Sequence, residues 1–201
     1  MSSETQTQSA TELTVDVGPV AHGGHCVARH EGRVVFVRHG IPGEKVRVRL
    51  TESGQDAKFW RGDVVEVLAA SPDRVEHFWD LTDSARSWSH RHPPVGGAEL
   101  GHIALERQRS LKAEVLAEQL RRLAGVERPI TVEAVGEPGT PATAGLAWRT
   151  RAGFAVTPAG KLGMHAHRSD TVLPVGEMPL ASDAINALRL WDIDLQGIER
   201  L

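Results

Sequence analysis

Residues 45–50, Lys-Val-Arg-Val-Arg-Leu, constrain the fold more than any other stretch of the chain. Strand side chains alternate with a period of two, so Val46, Val48 and Leu50 share one face and Lys45, Arg47 and Arg49 the other. One face closes over a core and the other carries a row of cations. Just upstream, two apolar runs, Cys26 to Arg29 and Val34 to Val37, flank the polar break His30-Glu31-Gly32-Arg33, a hairpin signal. Gly40-Ile41-Pro42-Gly43-Glu44 then turns the chain into the alternating strand. The expected product is a small antiparallel barrel with a basic outer face, a design suited to nucleic acid.

Leu13 to Val17 alternates and supplies a first strand, and Lys58 to Ala69 a last one, with Gly62 as a bulge candidate. Residues 12–71 are thus expected to form an OB-like five-stranded barrel. Its aromatics are Phe36, Phe59 and Trp60. Phe36 is expected in the core, whereas Trp60 is divided between core and a stacking face for a base. The formal net charge of the 201 residues is -3, so a polyanion partner has to be read from local charge. Arg29, Arg33, Arg38, Lys45, Arg47, Arg49, Lys58 and Arg61 outnumber Glu31, Glu44, Glu52 and Asp56, and these cations are the expected contacts to RNA. The single cysteine, Cys26, excludes an intrachain disulfide and is read as a small buried residue. Residues 1–11 are polar and expected to be a disordered tail. No apolar run approaches a membrane span, and a cytoplasmic location with no membrane partner is expected.

The order of a Gly23-Gly24 turn, a strand, the Glu31-Gly32 turn, Val34-Val35-Phe36-Val37, Pro42-Gly43-Glu44 and an alternating strand resembles the TRAM domain. That resemblance implies an OB-like RNA-binding barrel of the kind carried by RNA-modifying enzymes. Residues 72–103 read as an irregular linker. Its histidines, with His77, His90, His92 and His102 at spacings unlike paired zinc ligands, are expected to be solvated, so no metal is expected. Within it, Val95-Gly96-Gly97-Ala98 and the following Gln108…Lys112 segment resemble the region after the TRAM domain in bacterial class I RNA uracil-C5 methyltransferases. Many members read Cys-Gly-Gly-Cys there and hold an iron–sulfur cluster. The matching positions here are Val95, Ala98, Ser89 and Met178, so no cluster is expected, because thiolate ligands are required.

Leu105 to Ala124 carries apolar residues at helical spacing (Leu111, Val115, Leu116, Leu120, Leu123) and ends at Gly125, predicting a helix with one apolar face and one charged, solvated face. Ile130 to Val135 predicts a strand, Gly136 to Gly145 a loop, Trp148 to Val156 and Lys161 to His167 a hairpin around Pro158 to Gly160, and Thr171 to Val175 a further strand. A helix is expected from Pro179 to Trp191, and a strand just beginning at residues 197–201. Residues 104–201 are therefore expected to be an α+β central domain, incomplete at its C-terminus. No acidic residue occurs from Pro138 to Ser169, which makes Arg149, Arg151, Lys161 and Arg168 the second set of expected RNA contacts. Trp148-Arg149-Thr150, Leu162-Gly163-Met164-His165 and His167-Arg168-Ser169 also resemble that family's central domain.

No glycine-rich loop follows a strand and opens a helix, so no cofactor site, catalytic residue or nucleophile is expected in this chain. The resemblance implies S-adenosylmethionine for a full-length parent, with a catalytic domain beyond Leu201 as partner. The expected role is RNA binding and substrate positioning for a uracil-C5 methyltransferase acting on rRNA or tRNA. A stand-alone RNA-binding or regulatory protein is the alternative.

Overall fold

A computed structural model describes residues 11–54, 56–135 and 145–198. The chain divides into two compact units, Met1–Arg74 and Val75–Leu201. Among the described residues no helix is long and apolar enough to cross a membrane.

The first unit is one curled sheet of five strands: β1 (Glu12–Asp16), β2 (Cys26–His30), β3 (Arg33–Arg38), β4 (Lys45–Glu52) and β5 (Phe59–Ala69). The strand order is β1-β4-β5-β3-β2. Alternation sets the faces as expected: Leu13, Val15, Cys26, Ala28, Val35, Val37, Val46, Val48 and Leu50 are buried together. Glu31 and Gly32 take φ of 48° and 80°, the left-handed pair that a two-residue hairpin needs between β2 and β3. The sheet is mixed rather than antiparallel throughout, because β5 inserts between β4 and β3 and runs parallel to β3. Phe59 to Asp63 pairs with β3, while Arg61 to Ala69 pairs with β4, so one long strand serves two neighbours in succession and the sheet curls. Past β1, Gly18 N–H donates to Val27 O (2.9 Å) and Val27 N–H to Pro19 O (2.9 Å), which brings the chain back onto β2.

Gly62 is required by close approach more than by a bulge of its own. A Cβ there would lie 2.4 Å from Val48 Cγ1 and 2.6 Å from Arg49 O. The register slips beside it on β4, between Leu50 and Glu52. Phe36 is not a core residue: Val35 and Val37 take the inner face and Phe36 the outer, half-buried.

The second unit begins at Val75, so most of the expected linker belongs to it. Residues 80–82 form a turn of 3-10 helix, and α1 (Ser84–Ser89) follows, started by Asp83, whose side chain accepts from Arg86 N–H. Trp79, Ala98, Phe154, Leu162, Val175, Met178, Leu180, Ala181 and Leu195 form its apolar core. A three-stranded sheet joins β6 (Ala155–Val156), β7 (Leu162–His165) and β8 (Val172–Pro174), so the expected hairpin forms only next to its turn. Residues 148–154 add no strand; Arg149 makes a single parallel bridge to Ala181. α2 (Leu105–Ala124) matches the expected helix and ends on Gly125 at φ 64°. Its apolar stripe is not a buried seam, since only Leu111 is buried and Leu123 is 81 % exposed. Residues 130–135 form no strand. The expected C-terminal helix is reduced to α3 (Asp183–Asn186) and a 3-10 turn at residues 190–192, interrupted where Arg189 takes φ 46°. The expected tail, the loop at 136–144 and the strand start at 199–201 lie outside the described residues.

Candidate nucleic-acid interface

The outer face of the first unit is built row by row from the strand registers. In one row Arg38, Asp63, Arg49 and Glu12 lie side by side across β3, β5, β4 and β1. The charges alternate, and they pair. Arg38 is only 7 % exposed and grips Asp63 with both Nε and Nη2, at 2.7 and 2.9 Å. Arg38 is therefore committed to a carboxylate that is itself buried, a pairing internal to the sheet. Arg49 bonds Glu12 at 2.6 Å, Arg47 bonds Glu66 at 2.7 Å, and Arg61 bonds Glu52. The row of cations on β4 is thus matched by carboxylates on β1 and β5, which the sequence pattern of one strand does not show. These pairs keep between 26 % and 48 % of each side chain exposed, where an ion pair contributes about 0.2–1 kcal/mol, so phosphate can compete for them.

The other expected contacts sort by what they already hold. Arg33 donates to the carbonyls of Gly54 (3.3 Å) and Ala57 (3.0 Å) and lies over the Trp60 ring at 4.6 Å, fastening the loop before β5. Trp60 also donates Nε1–H to Gly54 O, so it serves that loop. Arg29, Lys45 and Lys58 are exposed and make no ion pair among the described residues. In the row of Arg29 and Val34 stands Phe59, which meets the other outer-face phenylalanine, Phe36, edge to face at 5.2 Å, with Arg61 over Phe59 at 4.7 Å. Phe59 was open to sequence reasoning only as one of three aromatics; the parity of Val35 and Val37 was the signal that places Phe36 beside it.

One buried carboxylate holds the end of the unit. Glu44 follows the Pro42-Gly43 turn and accepts from Ile41 N–H (2.9 Å), Ser71 N–H (3.1 Å), and Arg74 Nε (2.6 Å) and Nη2 (2.7 Å). Burial pushes its carboxyl up, but the Arg74 hydrogen bond, the two backbone donors and the Arg74 charge outweigh this and hold it below the usual range. Cys26 is buried, with its Sγ 3.4 Å from Gly40 O.

In the second unit, Arg149 is half-buried and donates Nη2–H to Gly97 O (3.2 Å) while lying 4.9 Å from the Trp148 ring. It props the Gly96-Gly97 loop. Arg151, Lys161 and Arg168 are exposed. Trp148 to Arg151 line one shallow depression, and Arg168 with His165 and His167 another. His77 and His102 are buried, not solvated. His77 accepts from Trp79 N–H at Nδ1 (3.1 Å) and faces Ala98 O with Nε2 (3.0 Å), which fits a neutral ring protonated at Nε2. Gly101 leaves room for that ring, since a Cβ would lie 2.3 Å from it. The donor set does not fit an iron–sulfur cluster: Val95, Ala98 and Met178 are buried apolar side chains, and Ala98 and Met178 share the core. Among the described residues no three metal-binding side chains gather.

A curled five-stranded sheet with cations and aromatic rings on its outer face is the architecture of an OB-type nucleic-acid-binding module. Residues 6–68 match the TRAM domain, and nearly the whole chain is similar to longer proteins described as RNA methyltransferases. A Streptomyces avermitilis protein described as an uncharacterized RNA methyltransferase is 42 % identical over 198 residues, covering 94 % of this chain and 43 % of the relative. One from Bifidobacterium longum with the same description is 39 % identical over 186 residues, covering 90 % and 41 %. The 23S rRNA (uracil(1939)-C(5))-methyltransferase RlmD of Shewanella woodyi is 30 % identical over 188 residues, covering 90 % and 38 %. The chain therefore spans well under half the length of these relatives. The crystal structure of Pyrococcus abyssi tRNA (uracil-54, C5)-methyltransferase in complex with S-adenosyl-L-homocysteine aligns with a TM-score of 0.48 at 20 % identity, covering 86 % of this chain and 35 % of that one.

Proposed function

We propose that this chain is the RNA-binding and substrate-positioning portion of an S-adenosylmethionine-dependent RNA uracil-C5 methyltransferase acting on rRNA or tRNA. The observation that carries the reading is the pairing of a TRAM match at residues 6–68 with similarity to RNA methyltransferases over nearly the whole chain. Methyl transfer belongs to the part of such proteins that this chain does not span, and S-adenosylmethionine supplies the methyl group there. The TRAM unit contributes exposed cations for phosphates, and in the second unit Arg151, Lys161 and Arg168 contribute further charge. A stand-alone regulator is the weaker reading, because the relatives that cover this chain are longer proteins described as methyltransferases.

The test is a titration of fluorescein-labelled 23S rRNA fragments and tRNA at low salt, followed by anisotropy, with wild type and an Arg47→Glu, Arg49→Glu variant. Wild type binds, and the variant binds more weakly with a flatter salt dependence, by about 0.7–0.9 per lost phosphate contact. Incubation of the chain alone with RNA and methyl-labelled S-adenosylmethionine transfers nothing. Absence of any RNA complex, or turnover by the chain alone, overturns the reading.

A further inference from the structure

We propose that the outer face of β2, β3 and the first half of β5 is a stacking site for unpaired RNA bases, with Phe59 as its platform and Arg29, in the same row, as a phosphate clamp. The inference rests on the RNA-binding reading above and adds which form of RNA the first unit takes.

The parallel pairing of β5 with β3 creates the site. It sets Arg29, Val34 and Phe59 in one row and Val27, Phe36 and Arg61 in the next. Residues far apart in sequence become neighbours on one solvent-facing surface. Phe36 meets Phe59 edge to face at 5.2 Å and 81°, and His25 meets Phe36 at 6.4 Å and 80°. Phe59 keeps 37 % of its surface exposed. The chain has only four phenylalanines, and two of them stand on this one outer face while small aliphatics fill the core beneath. Covering exposed aromatic surface is favourable, so a partner with flat apolar faces gains by docking there.

Charge selects the partner. The guanidinium of Arg61 lies over the Phe59 ring at 4.7 Å, which marks that ring face as one a planar group can occupy. Arg61 itself is tied to Glu52, and the arginines of β4 are tied to Glu66 and Glu12. Arg29, in the row of Phe59 across Val34, is exposed and outside any ion pair among the described residues. An aromatic face with an uncommitted cation in its row fits a strand that offers bases and phosphates at once, which is single-stranded nucleic acid. A duplex offers the phosphates and hides the base faces.

The experiment titrates the full chain with a fluorescein-labelled oligouridylate and with a perfectly paired RNA duplex of the same length. Four proteins are compared: wild type, Phe59→Ala, Phe59→Leu and Phe59→Trp, with circular dichroism to confirm folding. Phe59→Ala and Phe59→Leu are expected to weaken oligouridylate binding about 10-fold, the scale of one lost base stack. Their duplex affinity and salt dependence stay as in wild type, and Phe59→Trp keeps single-strand affinity. Equal single-strand affinity in wild type and both truncated variants overturns the inference while leaving the RNA-binding reading in place. Equal losses on oligouridylate and duplex also overturn it. Failure of wild type to bind either RNA overturns both.

Discussion

Replacing Glu44 by glutamine removes one negative charge from the interior of the first unit and leaves its shape almost unchanged. The side chain is 0 % exposed and takes two bonds from Arg74, at 2.6 and 2.7 Å, with one each from the amides of Ile41 and Ser71. A glutamine presents an NH2 group to at least one of these donors and no charge to the guanidinium. Breaking a buried ion pair costs about 3–5 kcal/mol. Arg74 keeps 20 % of its side chain exposed, so water partly compensates it and the lower end, about 3 kcal/mol, is expected. The pH dependence gives a second readout. The carboxyl is held below its ordinary value of 4.5, so its contribution is fully present above that pH and is lost as pH falls through the folded-state value. Urea titrations read by hydrogen exchange at the strand amides of residues 12–69 separate this unit from the second. Wild type should be more stable than Glu44→Gln by about 3 kcal/mol at neutral pH, and the gap should narrow as the pH is taken below 4.5. A gap below about 1 kcal/mol at neutral pH, or one unchanged in acid, refutes the reasoning.

The paired ridge and the crowded glycine make further predictions. Glu12→Gln with Glu66→Gln releases Arg49 and Arg47 from their carboxylates; RNA affinity at low salt should rise several-fold and the salt slope steepen by roughly 0.7 per freed cation. Anisotropy across a salt series measures both, and an unchanged slope means these pairs do not compete with phosphate. Gly62→Ala forces a Cβ against Val48 and the Arg49 carbonyl and should cost about 1–3 kcal/mol or more, whereas Gly54→Ala, whose nearest neighbour is Ala57 Cβ at 3.7 Å, should cost little. Thermal melts of the two variants read the difference, and equal melting temperatures refute the close-approach role.

Where a pattern is local, the chain declares it. Val46, Val48 and Leu50 face inward because alternation is a property of one strand, and Glu31-Gly32 turns because glycine tolerates positive φ wherever it stands. The helix at Leu105–Ala124 and its Gly125 cap are legible for the same reason: i to i+4 bonds lie within the segment. Residues 130–135 have the composition of a strand, yet a strand exists only when another backbone completes its ladder, and among the described residues none does. The candidate interface was half legible in the same sense. That Lys45, Arg47 and Arg49 share the outer face of the first unit follows from alternation. Which cations are available, and which rings meet, follows from register between strands: Arg49 lands beside Glu12, Arg38 beside Asp63, and Arg29 in the row of Phe59. The first of these is set by the pairing of β1 with β4 and the other two by the insertion of β5 between β4 and β3, long-range pairings that no window of sequence contains.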